Sequence, residues 1–297
     1  MADEHVDFKL YRYEPSMAAA VIFIILFLLI TAVHTYQMIR TRAWIFIPFV
    51  VGGFCTFQLF TDRPLLVQCI GYIGRAKSSA ESPDWKVPTY SLQTILLLVA
   101  PALYAASIYM MLGRIILVTD GEAHSIIRKR WLTKIFVAGD VVSFLMQGAG
   151  GGIMASGTVS ALNTGERIII GGLVVQLLFF GCFVVTSAIF HIRMRKCPTS
   201  RVIMQPIPWE RQLQALYGAS LLILVRSLFR LIEYAQGNDG YLISHEVFLY
   251  IFDSVLMLAT MVLLAWIHPS EITARLKSGN GKAVRNVVSV YSLTSLA

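Results

Sequence analysis

The chain has 297 residues, 56% of them hydrophobic and only 14% charged, with a mean hydropathy of +0.67. A soluble domain carries about a quarter charged residues, so this chain cannot coat a water-facing surface, which excludes a soluble enzyme, a disordered chain and a nucleic-acid binder. The net charge of +8 instead reads as the positive excess of cytoplasmic membrane loops, and four scattered cysteines with no C-x-x-C pair suit neither a disulfide scaffold nor structural zinc.

A hydrocarbon core about 30 Å thick asks for roughly 20 mostly apolar helical residues. Residues 1–16 are acidic and lack the basic n-region of a signal peptide, so they read as an extracellular N-terminal segment. A seven-helix transmembrane domain occupies 17–268, and the polar residues 269–297, with Ser289, Tyr291, Ser292, Thr294 and Ser295, read as a cytoplasmic tail. The predicted spans are Met17–Ile39, Trp44–Phe60, Tyr90–Leu112, Ile135–Ser156, Ile168–Phe190, Leu213–Tyr234 and Val247–Ile267. The second is the shortest. The fourth carries Gly148, Gly150, Gly151 and Gly152, residues that let helices approach closely. The fold class is all-α, a polytopic membrane protein.

Lysine and arginine orient it. The segments after the first, third, fifth and seventh spans hold 16 basic residues and the opposite side holds 7, which puts the N-terminus outside and the C-terminus in the cytoplasm. An odd number of spans fits that topology.

Charges inside spans are expensive and therefore face partners or wet cavities. The sixth span carries Arg226, Arg230 and Glu233 on one helix face, and the seventh carries Glu246, Tyr250 and Asp253 at similar spacing. Counted at 1.5 Å per residue from the outer ends, Arg226 lies about 12 Å deep and Asp253 about 10 Å, so antiparallel helices would pair them. Arg230 lies higher, within reach of Glu233 or Glu246. Gln147 and Gln176 fall level in the fourth and fifth spans and suit an interhelical amide pair. Asp140 shares the Gln147 face and sits near the cytoplasmic end, where water or Lys134 reaches it. These eight residues are the candidate substrate-binding set. His34, His191 and His268 fall near cytoplasmic span ends, but no H-x-x-x-H or H-E-x-x-H spacing supports a metal site, and no G-x-x-x-x-G-K-[ST] loop is present. No cofactor or metal is expected.

The motifs resemble those of the fungal lipid-translocating exporter family. They are Tyr13–Ser16, Gly71–Arg75, and the third-span run from Gln93 through Ala100-Pro101, Tyr109 and Leu112-Gly113-Arg114. They continue through Phe136–Asp140, Ser143 and Gln147, Gly172-Leu173 with Gln176, Arg226, Arg230 and Glu233, then Glu246, Tyr250, Asp253 and His268-Pro269. The resemblance covers nearly the whole chain. It implies seven spans, an outside N-terminus, and movement or release of amphipathic lipids such as sphingoid bases, with resistance to toxic amphiphiles. One departure stands out. The family has a glutamate shortly before its GY-x-x-R motif; here that position is Gln68, and Thr56–Val67 reads as an insertion of the kind an unspliced intron leaves.

The expected function is a plasma-membrane exporter or flippase for sphingoid-base-like lipids or toxic amphiphiles, not an enzyme. The alternative is a seven-span lipid receptor or sensor coupled to a cytoplasmic partner, which the architecture suits equally well.

Overall fold

The computed structural model describes residues 17–56, 87–154, 158–204, 208–236, 241–242 and 246–268. The expected extracellular segment, the tail, the Gly71–Arg75 motif and most of the Thr56–Val67 insertion lie outside the described residues, as do the side chains of Gln93 and Glu246.

The described elements are helical. They are α1 (Met17–Thr41), a 3₁₀ turn (Trp44–Phe46), α2 (Ile47–Thr56), α3 (Val87–Val118), a second 3₁₀ turn (Glu122–His124), α4 (Lys129–Met154) and α5 (Val159–Lys196). There follow a short α6 (Ser200–Met204), α7 (Trp209–Ala235), and a final rod of α8 (Glu246–Leu249), a π-helical segment (Tyr250–Val255) and α9 (Leu256–Trp266). Among the described residues six helices are long and apolar enough to cross a membrane, and Trp44–Gly53 is a shorter apolar helix. The expected second span is thus described only in its first part.

The helices form a closed ring in which each packs on its neighbour. The order is α1, α2, α3, α4, α5, α7 and α9, with α9 returning to α1 and α3 reaching across the middle to α7. This makes α3 the central helix: 67% of its span window is buried, against 28% for α1. Aromatic side chains fill the interior, with Tyr109 4.6 Å from Phe183 and Phe49 4.6 Å from Tyr104 between ring centroids. The outer face is apolar instead. Leu145, Leu178, Val185 and Leu221 are each more than half exposed, as expected where lipid rather than water is the solvent.

The helices overrun the predicted spans. Lys129, Arg130 and Lys134, expected in a loop, occupy the first turns of α4, and Arg193, Arg195 and Lys196 fill the last turn of α5. Cations at a helix C-terminus sit well against the backbone dipole, and long basic side chains reach the interface from inside a helix. Both ends of the α4–α5 hairpin are therefore helical where charge alone suggested loop.

Glycine serves close contact at selected positions only. A Cβ on Gly150 would stand 2.6 Å from the Gly165 carbonyl oxygen, whereas one on Gly148, Gly151 or Gly152 meets nothing within 4 Å. The glycine run of α4 thus seats one residue against α5 and turns the others away. Ser143 extends the same contact by donating to the Gly172 carbonyl at 2.6 Å.

Candidate functional site

The face of α7 that carries Arg226 and Arg230 points at the π-helical segment of the last rod. A π turn adds a residue to the helical repeat, and such turns are rare and concentrate at functional sites. Here the inward residues are Tyr250, Asp253 and Ser254, continued by Met257 in α9, while Ile251 and Val255 face outward. Asp253 is thereby aimed at α7.

The result is a four-residue charge network. The Arg226 Nε donates to the Asp253 Oδ1, the Arg230 Nη1 donates to the Glu233 Oε2 at 2.8 Å, and the Arg230 Nη2 stands 3.6 Å from the Asp253 Oδ2. All four residues are buried, the most exposed being Arg230 at 7%. Two guanidinium groups and two carboxylates balance. That balance is what makes the burial tolerable, because removing one charge leaves another unpaired in a low-dielectric interior. Tyr250, next to the network, stacks on Phe23 of α1 at 5.2 Å, closing the seam on its third side. Chemically the seam holds donors for an anionic headgroup and acceptors for an amine, a few ångströms apart.

The sequence pairing of Arg226 with Asp253 matches this geometry. Arg230 engages both Glu233 and Asp253; the Glu246 side chain, its other candidate partner, lies outside the described residues. Gln147 also meets its partner, donating to the Gln176 Oε1 at 3.2 Å and to the Ser143 Oγ at 2.7 Å. This amide seam lies between α4 and α5, in a different part of the ring from the charge network. The eight candidates therefore do not form one site.

Asp140 differs from its expected setting. It is 5% exposed, its Oδ2 has no hydrogen-bond partner, and Lys134 instead lies over the Trp131 ring at 5.6 Å. Because α4 begins at Lys129, Asp140 is about 16 Å along the helix, at 1.5 Å per residue, rather than at its edge. Its neighbour is the Tyr109 hydroxyl of α3, which is fully buried. Sequence reasoning missed this partner, although the two residues are nearly equidistant from the turn of an antiparallel hairpin.

The histidines, expected at the interface, are interior in two cases. His34 is 0% exposed and its Nε2 lies 2.9 Å from the Met261 carbonyl oxygen; Gln37, one turn on, donates to the Ala265 carbonyl at 3.1 Å. Together they tie α1 to α9. His268 lies 6.3 Å from His34 between ring centroids, and burial, with that second imidazole beside it, pushes it down to about 3. His191 lies apart, against Trp209 and Tyr217. Among the described residues no group of three His, Cys, Asp or Glu side chains converges.

Comparison with known proteins adds an independent line. A family model described as RTA1 like protein matches residues 64–275. Protein RTM1 of Saccharomyces cerevisiae is 39% identical over 284 residues, covering 86% of this chain and 90% of that protein. Protoporphyrin uptake protein 1 of the same species is 37% identical over 286 residues, covering 88% and 92%. Its sphingoid long-chain base transporter RSB1 is 25% identical over 288 residues, covering 86% and 72%. No solved structure matches the chain.

Proposed function

This chain belongs to the RTA1-like protein family, and from that premise we propose that it is a transporter moving amphipathic lipids of the sphingoid-base class across the plasma membrane, with seven spans, an outside N-terminus and a cytoplasmic C-terminus. It is a membrane protein of apolar helices whose relatives include a named lipid transporter, and it works by carriage rather than by chemical conversion.

The observation that carries the reading is the buried network of Arg226, Arg230, Glu233 and Asp253. Four charges inside membrane helices are costly to keep, and such groups mark substrate paths more often than not. The amine of a sphingoid base competes with an arginine for Asp253 while its hydrocarbon tail stays in the lipid. Exchange of one cation for another keeps the seam neutral, so the headgroup crosses without an unpaired charge being left behind. The arginines suit the opposite case. A dicarboxylate amphiphile such as protoporphyrin, the substrate named for one relative, would engage Arg226 and Arg230 in place of Asp253 and Glu233.

The test is release of a labelled sphingoid base from cells expressing this chain, beside Asp253→Asn and Arg226→Gln variants matched for surface level. Release accelerated by the chain and abolished in both variants supports the reading. Unchanged release from a chain at the surface counts against it, and the same cells given protoporphyrin then separate the second substrate class from no transport at all. A lipid-dependent signal without flux would favour a receptor.

A further inference from the structure

Every carboxylate in the charge network has a guanidinium within 4 Å, but Asp140 has none. It is a second kind of acidic group, lying inside the membrane-spanning length of α4, 95% hidden from solvent, with an Oδ2 that no donor satisfies. An uncompensated carboxylate is the most costly group to hold in such a place, whereas the neutral acid is tolerated and can donate its proton. The groups facing it are few. From α3 comes the Tyr109 hydroxyl, also buried and facing the Asp140 carboxyl; from α5 comes Phe179, against the neighbouring Gly139; on α4 itself Lys134 is turned toward Trp131. Among the described residues no charged side chain acts on Asp140.

An open groove lies on the same seam. A groove of 220 Å³ opens where α3, α4 and the first 3₁₀ turn meet, lined in part by Met110, Gly113, Arg114, Lys129 and Thr133. Gly113 stands one turn from Tyr109, and Thr133 two turns from Asp140, both toward the α3–α4 turn, or about 6 Å and 10 Å along their helices. The groove therefore stops short of the Asp140–Tyr109 pair on the side of the bundle that carries the basic residues, with the Phe136 ring, 5.4 Å from that of Tyr109, on the intervening turn of α4. Gly113 has nothing within 4 Å of where a Cβ would stand, so the groove is open there.

We infer that Asp140 and Tyr109 form a proton-binding site, filled and emptied from the side of the groove at the α3–α4 turn, and that proton exchange there is coupled to lipid movement. In the step itself the Asp140 carboxylic acid gives its proton to water on that side and the carboxylate so formed is held by the Tyr109 hydroxyl; the reverse refills it. The site stands on its own geometry, while the coupling rests on the transporter reading.

The experiment is infrared difference spectroscopy of the full chain in lipid nanodiscs as pH is stepped. A protonated-carboxyl carbonyl band that disappears reversibly with rising pH, is absent in Asp140→Asn, and ignores replacement of sodium by choline is the expected result. Tyr109→Phe, which keeps the ring in place, moves the midpoint of that band by about one pH unit. A band that never titrates, survives in Asp140→Asn or is displaced by sodium overturns the proton site. In vesicles, an imposed pH gradient should raise flux of labelled sphingoid base several-fold in the native chain but not in Asp140→Asn. Flux indifferent to the gradient overturns the coupling. No flux under any gradient sinks the transporter reading and the coupling together, while a titrating band still establishes the site.

Discussion

Replacing Asp253 with asparagine keeps the shape of the network and removes one of its charges. Arg226 and Arg230 are then left with Glu233 alone, a net positive charge in a seam where each residue is at most 7% exposed. The Arg230–Asp253 contact at 3.6 Å corresponds to an attraction of roughly 5 kcal/mol at an effective dielectric of about 20, and the Arg226 contact is closer. Desolvation offsets much of that, so the expected loss is about 3–5 kcal/mol, the range for breaking a buried pair on one side. Arg226→Gln leaves a net negative charge and costs a similar amount. The double variant restores balance: the Arg230–Glu233 bond at 2.8 Å survives and the two new amides face each other. It should therefore be about 2–3 kcal/mol more stable than the sum of the single changes implies. Reversible SDS titration of the purified protein in mixed micelles measures all four corners of the cycle. Additive single effects, or singles costing under about 1 kcal/mol, would mean that water already reaches the network and that charge balance is not what holds it. Flux measured on the same four proteins separates clamp from site. A double variant that recovers stability without recovering sphingoid-base release assigns the charges to binding, and recovery of both assigns them to docking α7 on the last rod.

Three further outcomes follow from the packing, the burial and the topology. Gly150→Ala forces α4 and α5 apart against a carbonyl 2.6 Å away and should cost about 1–3 kcal/mol, whereas Gly151→Ala, with open space around it, should gain up to about 1 kcal/mol; equal effects in the same titration would refute the contact. His268 is held down to about 3 from 6.5, so below pH 6.5 the unfolded chain takes up a proton that the folded chain refuses. The His268 contribution is flat above that pH and falls as pH drops toward 3, by roughly tenfold in the unfolding constant per unit; His268→Gln should lower the total slope by that one proton, and an unchanged slope would assign it to other groups. Cys197 is exposed at the end of α5, beside the basic turn, so a chain retaining only that cysteine should react with an impermeant maleimide after permeabilisation and not on intact cells. Labelling of intact cells would invert the topology.

The parts legible in the sequence are those where cost leaves few options. Apolar length marks the helices because a bilayer accepts nothing else. Charge inside such a length needs a partner, and depth counting alone was enough to match Arg226 with Asp253 and Gln147 with Gln176, since an antiparallel neighbour can offer a partner only at equal depth. The helix ends were less legible. Lys129 and Lys196 lie inside helices because a charged side chain can snorkel to the interface while its backbone continues the helix, so charge marks where water begins and not where the helix stops. The Schellman-type ends of α1 and α3 were hidden for a related reason. Arg42 and Asp120 hold the left-handed position, with φ of 53° and 51°, that glycine would have announced.

At the last rod the buried stripe was legible and the looser helical repeat was not. A regular α-helix places residues three, four and seven apart on one face, and by that rule Glu246, Tyr250 and Asp253 form a stripe. The inward residues Tyr250, Asp253, Ser254 and Met257 keep that spacing through the π turn, so that Tyr250 stacks on Phe23 while Asp253 reaches two arginines. Nothing in YIFDSV announces the π turn, because the segment has no proline or glycine and its apolar residues suit an ordinary helix equally well. A substrate amine that took the place of an arginine would keep Asp253 charged and the seam neutral, and would leave that arginine free to move.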